Sequence, residues 1–188
     1  MTTLERKRYE EFAYVLDYLP QGKPRSTMQS FRAEPIVQLL GEDYFTLLEA
    51  VVNTGAVLNS RERVYVGKSA TRTKISHILG RTNYEELTSE AKNELLSVVE
   101  EIAKNHEKRF TDFFNEAQAV TPRMHSLELL PGIGKKYMWA ILKEREKKTF
   151  ENYKDIQTRT QIPDPVKMVA KRVKQELSEE PKYKIFVR

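Results

Sequence analysis

The spacing of apolar residues changes once along this chain, at Thr82, and that change fixes the class of fold it can adopt. Before Thr82 the apolar residues recur at every second position, as strands require. Phe12, Tyr14, Leu16 and Tyr18 alternate with Ala13, Val15 and Asp17. Pro20-Gln21-Gly22-Lys23-Pro24 ends this strand, and a polar loop runs to Glu34. Pro35–Leu40 reads as a second strand and Tyr44–Val52 as a third, joined by the turn Gly41-Glu42-Asp43. Arg61–Gly67 and Thr73–Leu79 give a fourth and a fifth. Five short strands in so little chain predict a small closed barrel, because closure removes exposed sheet edges.

After Thr82 the spacing becomes three and four. Leu87, Ala91, Leu95, Val98, Val99, Ile102, Phe110, Phe113 and Phe114 lie on one helical stripe. Thr88 or Ser89 is placed to cap this helix, which is expected to break near Asn105. Thr121-Pro122 reads as the cap and first residue of a short helix that stops at Pro131-Gly132. Helices are then expected over Lys135–Lys148, over Asn152–Thr160, and from Asp164-Pro165 to about Leu177. The end, Tyr183-Lys184-Ile185-Phe186-Val187-Arg188, alternates and is expected to add a strand. The chain therefore reads as α+β, with a five-stranded barrel over 1–82, an amphipathic helical linker over 83–117, an all-α domain over 118–180 and an extended tail over 181–188.

Composition removes several classes of function. The absence of cysteine excludes disulfides, thiolate zinc sites and cysteine nucleophiles together. No apolar run approaches the ~20 residues that cross a bilayer. The charged start through Arg8 is followed by no apolar segment, so no secretory signal is read and a cytoplasmic location is expected. Net charge is +5, distributed as +3 over residues 1–82, −5 over 83–117 and +7 over 118–188. Two basic ends around an acidic middle are compatible with a polyanion binder, and equally with two ordinary domains and a solvated helix.

Leu130-Pro131-Gly132-Ile133-Gly134-Lys135-Lys136 carries the clearest chemistry. Glycine reaches positive φ without steric cost and puts no side chain between backbone and ligand. Ile133 is placed to anchor the turn between helices. The amides from Gly132 to Lys136 become the unpaired donors at the start of the following helix, where the dipole favours an anion. Lys135 and Lys136 add full charge there. Such a site grips phosphate rather than bases, so little sequence preference is expected.

Leu130 to Arg145 resembles the helix-hairpin-helix motif of DNA repair and recombination proteins, with its small-residue positions on Met138 and Ala140. A weaker copy sets Ile162-Pro163-Asp164 on Gly132-Ile133-Gly134, Met168 on Met138 and Ala170 on Ala140. There a proline lacks the amide donor and Asp164 sets a carboxylate where phosphate would bind, so this copy reads as structural support. Lys167, Lys171, Arg172 and Lys174 beyond it read as a solvated basic face.

The N-terminal strands resemble an OB-type barrel of the S1-like kind. That resemblance implies binding of a strand along the loops Gln21–Glu34 and Lys68–Thr73. Lys23, Arg25, Arg32, Lys68, Arg72 and the adjoining Lys74 supply cations there, and Phe31 and Tyr65 are the aromatics placed for base stacking. Barrel, spacer and hairpin together resemble an uncharacterised archaeal family of predicted RNA-binding proteins, with an OB/S1-like barrel and a C-terminal domain like RuvA domain 2. The resemblance covers nearly the whole chain and brings no known substrate or reaction; with the residues above, the expectation is a non-enzymatic binder of nucleic acid, RNA favoured over DNA, with no cofactor and no metal.

Two other readings stand beside this one. A protein-interaction adaptor on a ribosome or polymerase uses the same folds. A base-excision glycosylase follows its hairpin with a catalytic aspartate, and Asp155 lies in that region, but without the flanking pattern of those enzymes or chain for a base-flipping pocket. His77, His106 and His125 lack ligand spacing, and no P-loop or Gly-x-Ser-x-Gly occurs.

Overall fold

The computed structural model describes residues 8–23 and 34–188. Five strands, β1 (Phe12–Leu19), β2 (Ile36–Gly41), β3 (Leu47–Val52), β4 (Arg63–Tyr65) and β5 (Ile75–Arg81), form one sheet in the order β4-β1-β2-β3-β5. Every neighbouring pair is antiparallel, with Ala13 opposite both Gly41 and Val64, Leu39 opposite Leu48, and Ala50 opposite Ile78. The sheet curls around one apolar cluster to which all five strands contribute, among them Val15, Val37, Ala50, Val64 and Ile75. It does not close. The ladder starts at β4 and ends at β5, so the expected barrel is an open, curled sheet. In β5, Ser76 and Leu79 have no partner on β3, two bulges that re-aim its side chains.

Helices follow: α1 (Ser89–Asn105), α2 (Glu107–Glu116), α3 (Lys135–Lys147), α4 (Tyr153–Thr160) and α5 (Pro165–Ser178). Thr88 caps α1: its Oγ1 accepts from the Ala91 amide at 3.0 Å and its hydroxyl donates to the Asp17 carboxylate at 2.7 Å. Asn152 and Asp164 cap α4 and α5 through their side-chain oxygens. The chain is thus a mixed α+β protein. It divides into two compact units, residues 1–98 with 186–188, and residues 99–185.

Within the second unit Phe110, Phe114, Leu127, Ile141, Ile156 and Val169 are fully buried. Fully burying such side chains contributes about 1.5–3 kcal/mol each. The Tyr153 hydroxyl donates to the Ala103 carbonyl at 2.7 Å, and Arg145 donates to the Ala117 carbonyl at 2.9 Å. Burial pushes the Tyr153 phenol above its ordinary pKa.

Two expectations fail locally. Thr121-Pro122 does not open a helix. It ends strand β6 (Ala119–Thr121) and turns into β7 (Met124–His125). Proline's fixed φ suits the corner of a tight turn as well as a first helical turn, and the pairing of Ala119 with His125 decides between them. The helix expected ahead of Pro131 is instead a four-residue 3-10 turn, Ser126–Leu129. The tail forms no strand. Its Ile185 amide donates to Glu176 Oε1 at 2.8 Å. Among the described residues no helix is long and apolar enough to cross a membrane.

Candidate functional site

The turn that begins at Pro131 is held from below and open above. Ile133 is 5% exposed, and its amide donates to the Leu130 carbonyl at 3.1 Å. Gly132 sits at φ +93°, and a Cβ there would stand 3.3 Å from Met168 Cε on α5. The positive φ favours glycine at this position, and a Cβ would need the flexible end of Met168 to give by only a few tenths of an ångström. Gly134 is the cap residue of α3, at φ −92°, and makes no side-chain cap. The first bond of the helix runs from the Met138 amide to the Gly134 carbonyl at 2.9 Å. The amides of Gly134, Lys135 and Lys136 find no acceptor among the described residues, and all three residues are exposed. They form the positive end of α3.

The two lysines differ. Lys135 Nζ lies 2.9 Å from Glu128 Oε1 and 3.3 Å from the Arg123 carbonyl. Glu128 is held below the usual carboxylate range, first by the His125 amide that donates to it and then by Lys135. Lys136 has no such partner among the described residues. Its face of α3 continues through Trp139, 63% exposed, to Lys143, exposed and also without an ion pair there. The spacing i, i+3, i+7 sets an indole between two ammonium groups, one turn beyond the open amides. Trp139 and Lys143 escaped the sequence reading, although placing Met138 and Ile141 inward already left this face to solvent. A shallow depression of about 540 Å³ opens beside the turn, bordered by Glu128, Arg172 and Gln175.

At the start of α5 Asp164 Oδ1 accepts from the Lys167 amide at 3.1 Å, so a carboxylate of the chain itself occupies that donor. Arg172 does not lie on a basic face. It is buried, with Nε 2.8 Å from Glu176 Oε1 and Nη1 3.1 Å from Gln175 Oε1. Asp155 is engaged as well: Oδ2 accepts from the Glu151 amide and from Arg159 Nη1, each at 3.1 Å. Among the described residues no group of three or more His, Asp or Glu is arranged to hold a metal ion.

In the sheet unit the predicted site residues are mostly occupied by the fold. Arg25, Phe31 and Arg32 lie outside the described residues. Lys23 pairs with Glu49, and Lys74 pairs with Glu62 while donating to the Val57 carbonyl at 3.1 Å. The Tyr65 ring stands edge-on to Phe12 at 5.3 Å, and its hydroxyl accepts from the Ala70 amide at 2.8 Å, pinning the loop after β4. Arg72 Nε donates to the Val66 and Gly67 carbonyls at 3.1 and 2.9 Å. Lys68 Nζ lies 3.9 Å from the Tyr9 ring centre. Lys68 and Arg72 are brought together with Arg8, Arg81 and Arg188 around one cavity.

Comparison with known proteins places this geometry in a family. The chain is 47% identical over 181 residues to the uncharacterized protein MJ0038 of Methanocaldococcus jannaschii, covering 96% of this chain and 80% of that protein. The crystal structure of Af1531 from Archaeoglobus fulgidus superposes with a TM-score of 0.87 at 45% identity, over 95% of this chain and all of that one. A family model matches residues 9–188, and the chain belongs to the family described as protein of unknown function DUF655.

Proposed function

We propose that the protein is a non-enzymatic nucleic-acid-binding protein that grips the sugar–phosphate backbone at the start of α3. The turn from Leu130 to Lys136 is read here as a helix-hairpin-helix turn whose first helix has contracted to a 3-10 turn, and the curled sheet as an open OB-like barrel. The observation that carries the proposal is the uncapped helix start at Gly134: exposed amides with no internal acceptor, beside Lys136. Phosphate supplies the missing acceptors, and Gly132 and Gly134 let a backbone come close. Trp139 extends the contact by stacking on a base. An exposed indole needs an unstacked base, which loops and single-stranded segments of RNA provide, so RNA is favoured over DNA.

Asp155, tied to Arg159 and the Glu151 amide, serves the helix rather than a reaction, which argues against the glycosylase. An adaptor that docks on protein separates from a phosphate binder by salt. The chain has one tryptophan, so its fluorescence reports directly on the face of α3. Titration with a single-stranded oligoribonucleotide is expected to change Trp139 emission, with log affinity falling linearly against log salt. No emission change at low salt, or affinity indifferent to salt, contradicts the proposal.

A further inference from the structure

A cavity of about 900 Å³ in the sheet unit is lined by five cationic side chains, Arg8, Lys68, Arg72, Arg81 and Arg188. None of the five has a carboxylate at ion-pair distance among the described residues. The contrast within the same unit is sharp, because Lys23, Arg61, Arg63, Lys74 and Lys92 each pair with a glutamate. Four of these cations contact neutral groups instead: Arg8 lies over the Tyr44 ring and Lys68 over the Tyr9 ring, and Arg72 and Arg81 donate to carbonyls. Arg72 Nε donates to the Val66 and Gly67 carbonyls, which fixes its guanidinium while its two terminal amino groups bond to none of the described residues. Arg81 Nη2 donates to the Arg8 carbonyl at 3.4 Å.

Among the described residues of the lining Glu10 is the only acid side chain, and backbone amides engage it. Its carboxylate accepts from the Asp43, Tyr44 and Thr46 amides at 2.9, 3.1 and 3.0 Å. Like charges gathered around one concave wall repel one another, and the wall focuses their field on an entering anion. The lining also has an apolar part, Leu48, Val66 and Ile78, of which Leu48 and Val66 are buried. The bulge at Leu79 breaks the alternation of β5, so that both Ile78 and Arg81 reach the cavity. The volume falls within the range of small-molecule sites, about 300–1,000 Å³.

We infer that this cavity binds a nucleoside phosphate, its base on the apolar part of the lining and its phosphates among the five cations, either as a free nucleotide or as the phosphorylated end of a strand. Neither the cavity nor this inference uses any residue of the α3 face, so the two sites stand or fall separately. The sequence conceals the cluster, because its members are spread from residue 8 to residue 188 and only the sheet gathers them.

The test is calorimetric titration of the full chain with ATP, adenosine and pyrophosphate. It is repeated in Lys68→Glu, Arg81→Glu and Gly134→Asp, with folding followed by circular dichroism. Saturable binding of ATP is expected, with adenosine and pyrophosphate each weaker by about ten-fold or more. Each cavity variant is expected to lose about ten-fold or more of the ATP affinity, whereas Gly134→Asp leaves the cavity's share of the binding intact and removes only the Trp139-reported share at the start of α3. Should Arg81→Glu fail to fold, Lys68→Glu, on an exposed loop, reads the same charge. Displacement of ATP by a 5′-phosphorylated oligonucleotide, but not by its 5′-hydroxyl form, identifies a strand end as the occupant; the lack of displacement identifies a free nucleotide. No saturation by ATP at millimolar concentration overturns the inference. So does pyrophosphate binding as tightly as ATP, or undiminished binding in the folded cavity variants.

Discussion

Gly134 and Asp164 hold the same position at the starts of α3 and α5, and only Asp164 covers an amide of its helix's first turn, that of Lys167, with a carboxylate. One helix start carries a side-chain cap and the other has none. Pro163 and Pro165 also remove amides at the second start, whereas Gly134, Lys135 and Lys136 keep theirs.

The two lysines at the open end are expected to contribute unequally. Lys136→Ala should weaken RNA binding and reduce the slope of log affinity against log salt by about one. Lys135→Ala should do less, because its ammonium already faces Glu128. A salt series on both variants, read by Trp139 emission, checks the order.

His125 gives the second unit a pH dependence. Its Nδ1 accepts from the Leu127 amide at 3.1 Å, which requires the neutral ring. Burial, helped by Arg145 and Lys135, lowers its pKa from the ordinary 6.5. The unfolded chain therefore takes up this proton at higher pH than the folded one. The contribution is complete above pH 6.5 and is lost as the pH falls below that value through the folded pKa. His125→Asn, which keeps a cap acceptor without a titrating ring, should flatten the stability profile in that window by urea denaturation. A profile unchanged by the substitution contradicts this role.

Much of the fold was legible because it rests on local rules. Thr88 and Asp164 cap the helices that their positions announced, and Ile133 is buried beneath its turn. What could not be read was tertiary. Thr121-Pro122 carries the same local signal for a helix start and a strand turn, and the β6–β7 pairing selects the second. Lys23, Lys74 and Lys135 read as cations available to phosphate, and each is matched to a glutamate that is distant in sequence or set by the fold. Arg172 read as surface and lies in the core.

That core pair anchors the end of α5. Arg172 is 4% exposed and Glu176 is fully buried, and the Ile185 amide shares the Glu176 carboxylate. Glu176→Ala strands a buried guanidinium and is expected to cost about 3–5 kcal/mol. Replacing both partners, Arg172→Met with Glu176→Leu, should cost much less, because no charge is left unpaired. Urea midpoints of the two variants decide the point, and equal losses would contradict it.

Gly134→Asp is the most direct test of the open helix start. The backbone at φ −92° accepts any residue, and an added Cβ meets no atom within 4 Å. The aspartate would cap α3 as Asp164 caps α5, so stability should hold or rise by about half a kcal/mol. The same carboxylate would take the amides and repel phosphate, lowering RNA affinity by about 1–3 kcal/mol. The account predicts a variant with an unchanged or raised melting temperature whose Trp139 emission responds only at RNA concentrations about 5- to 150-fold higher than the unsubstituted chain requires. A stable variant that binds RNA as tightly as before would contradict it.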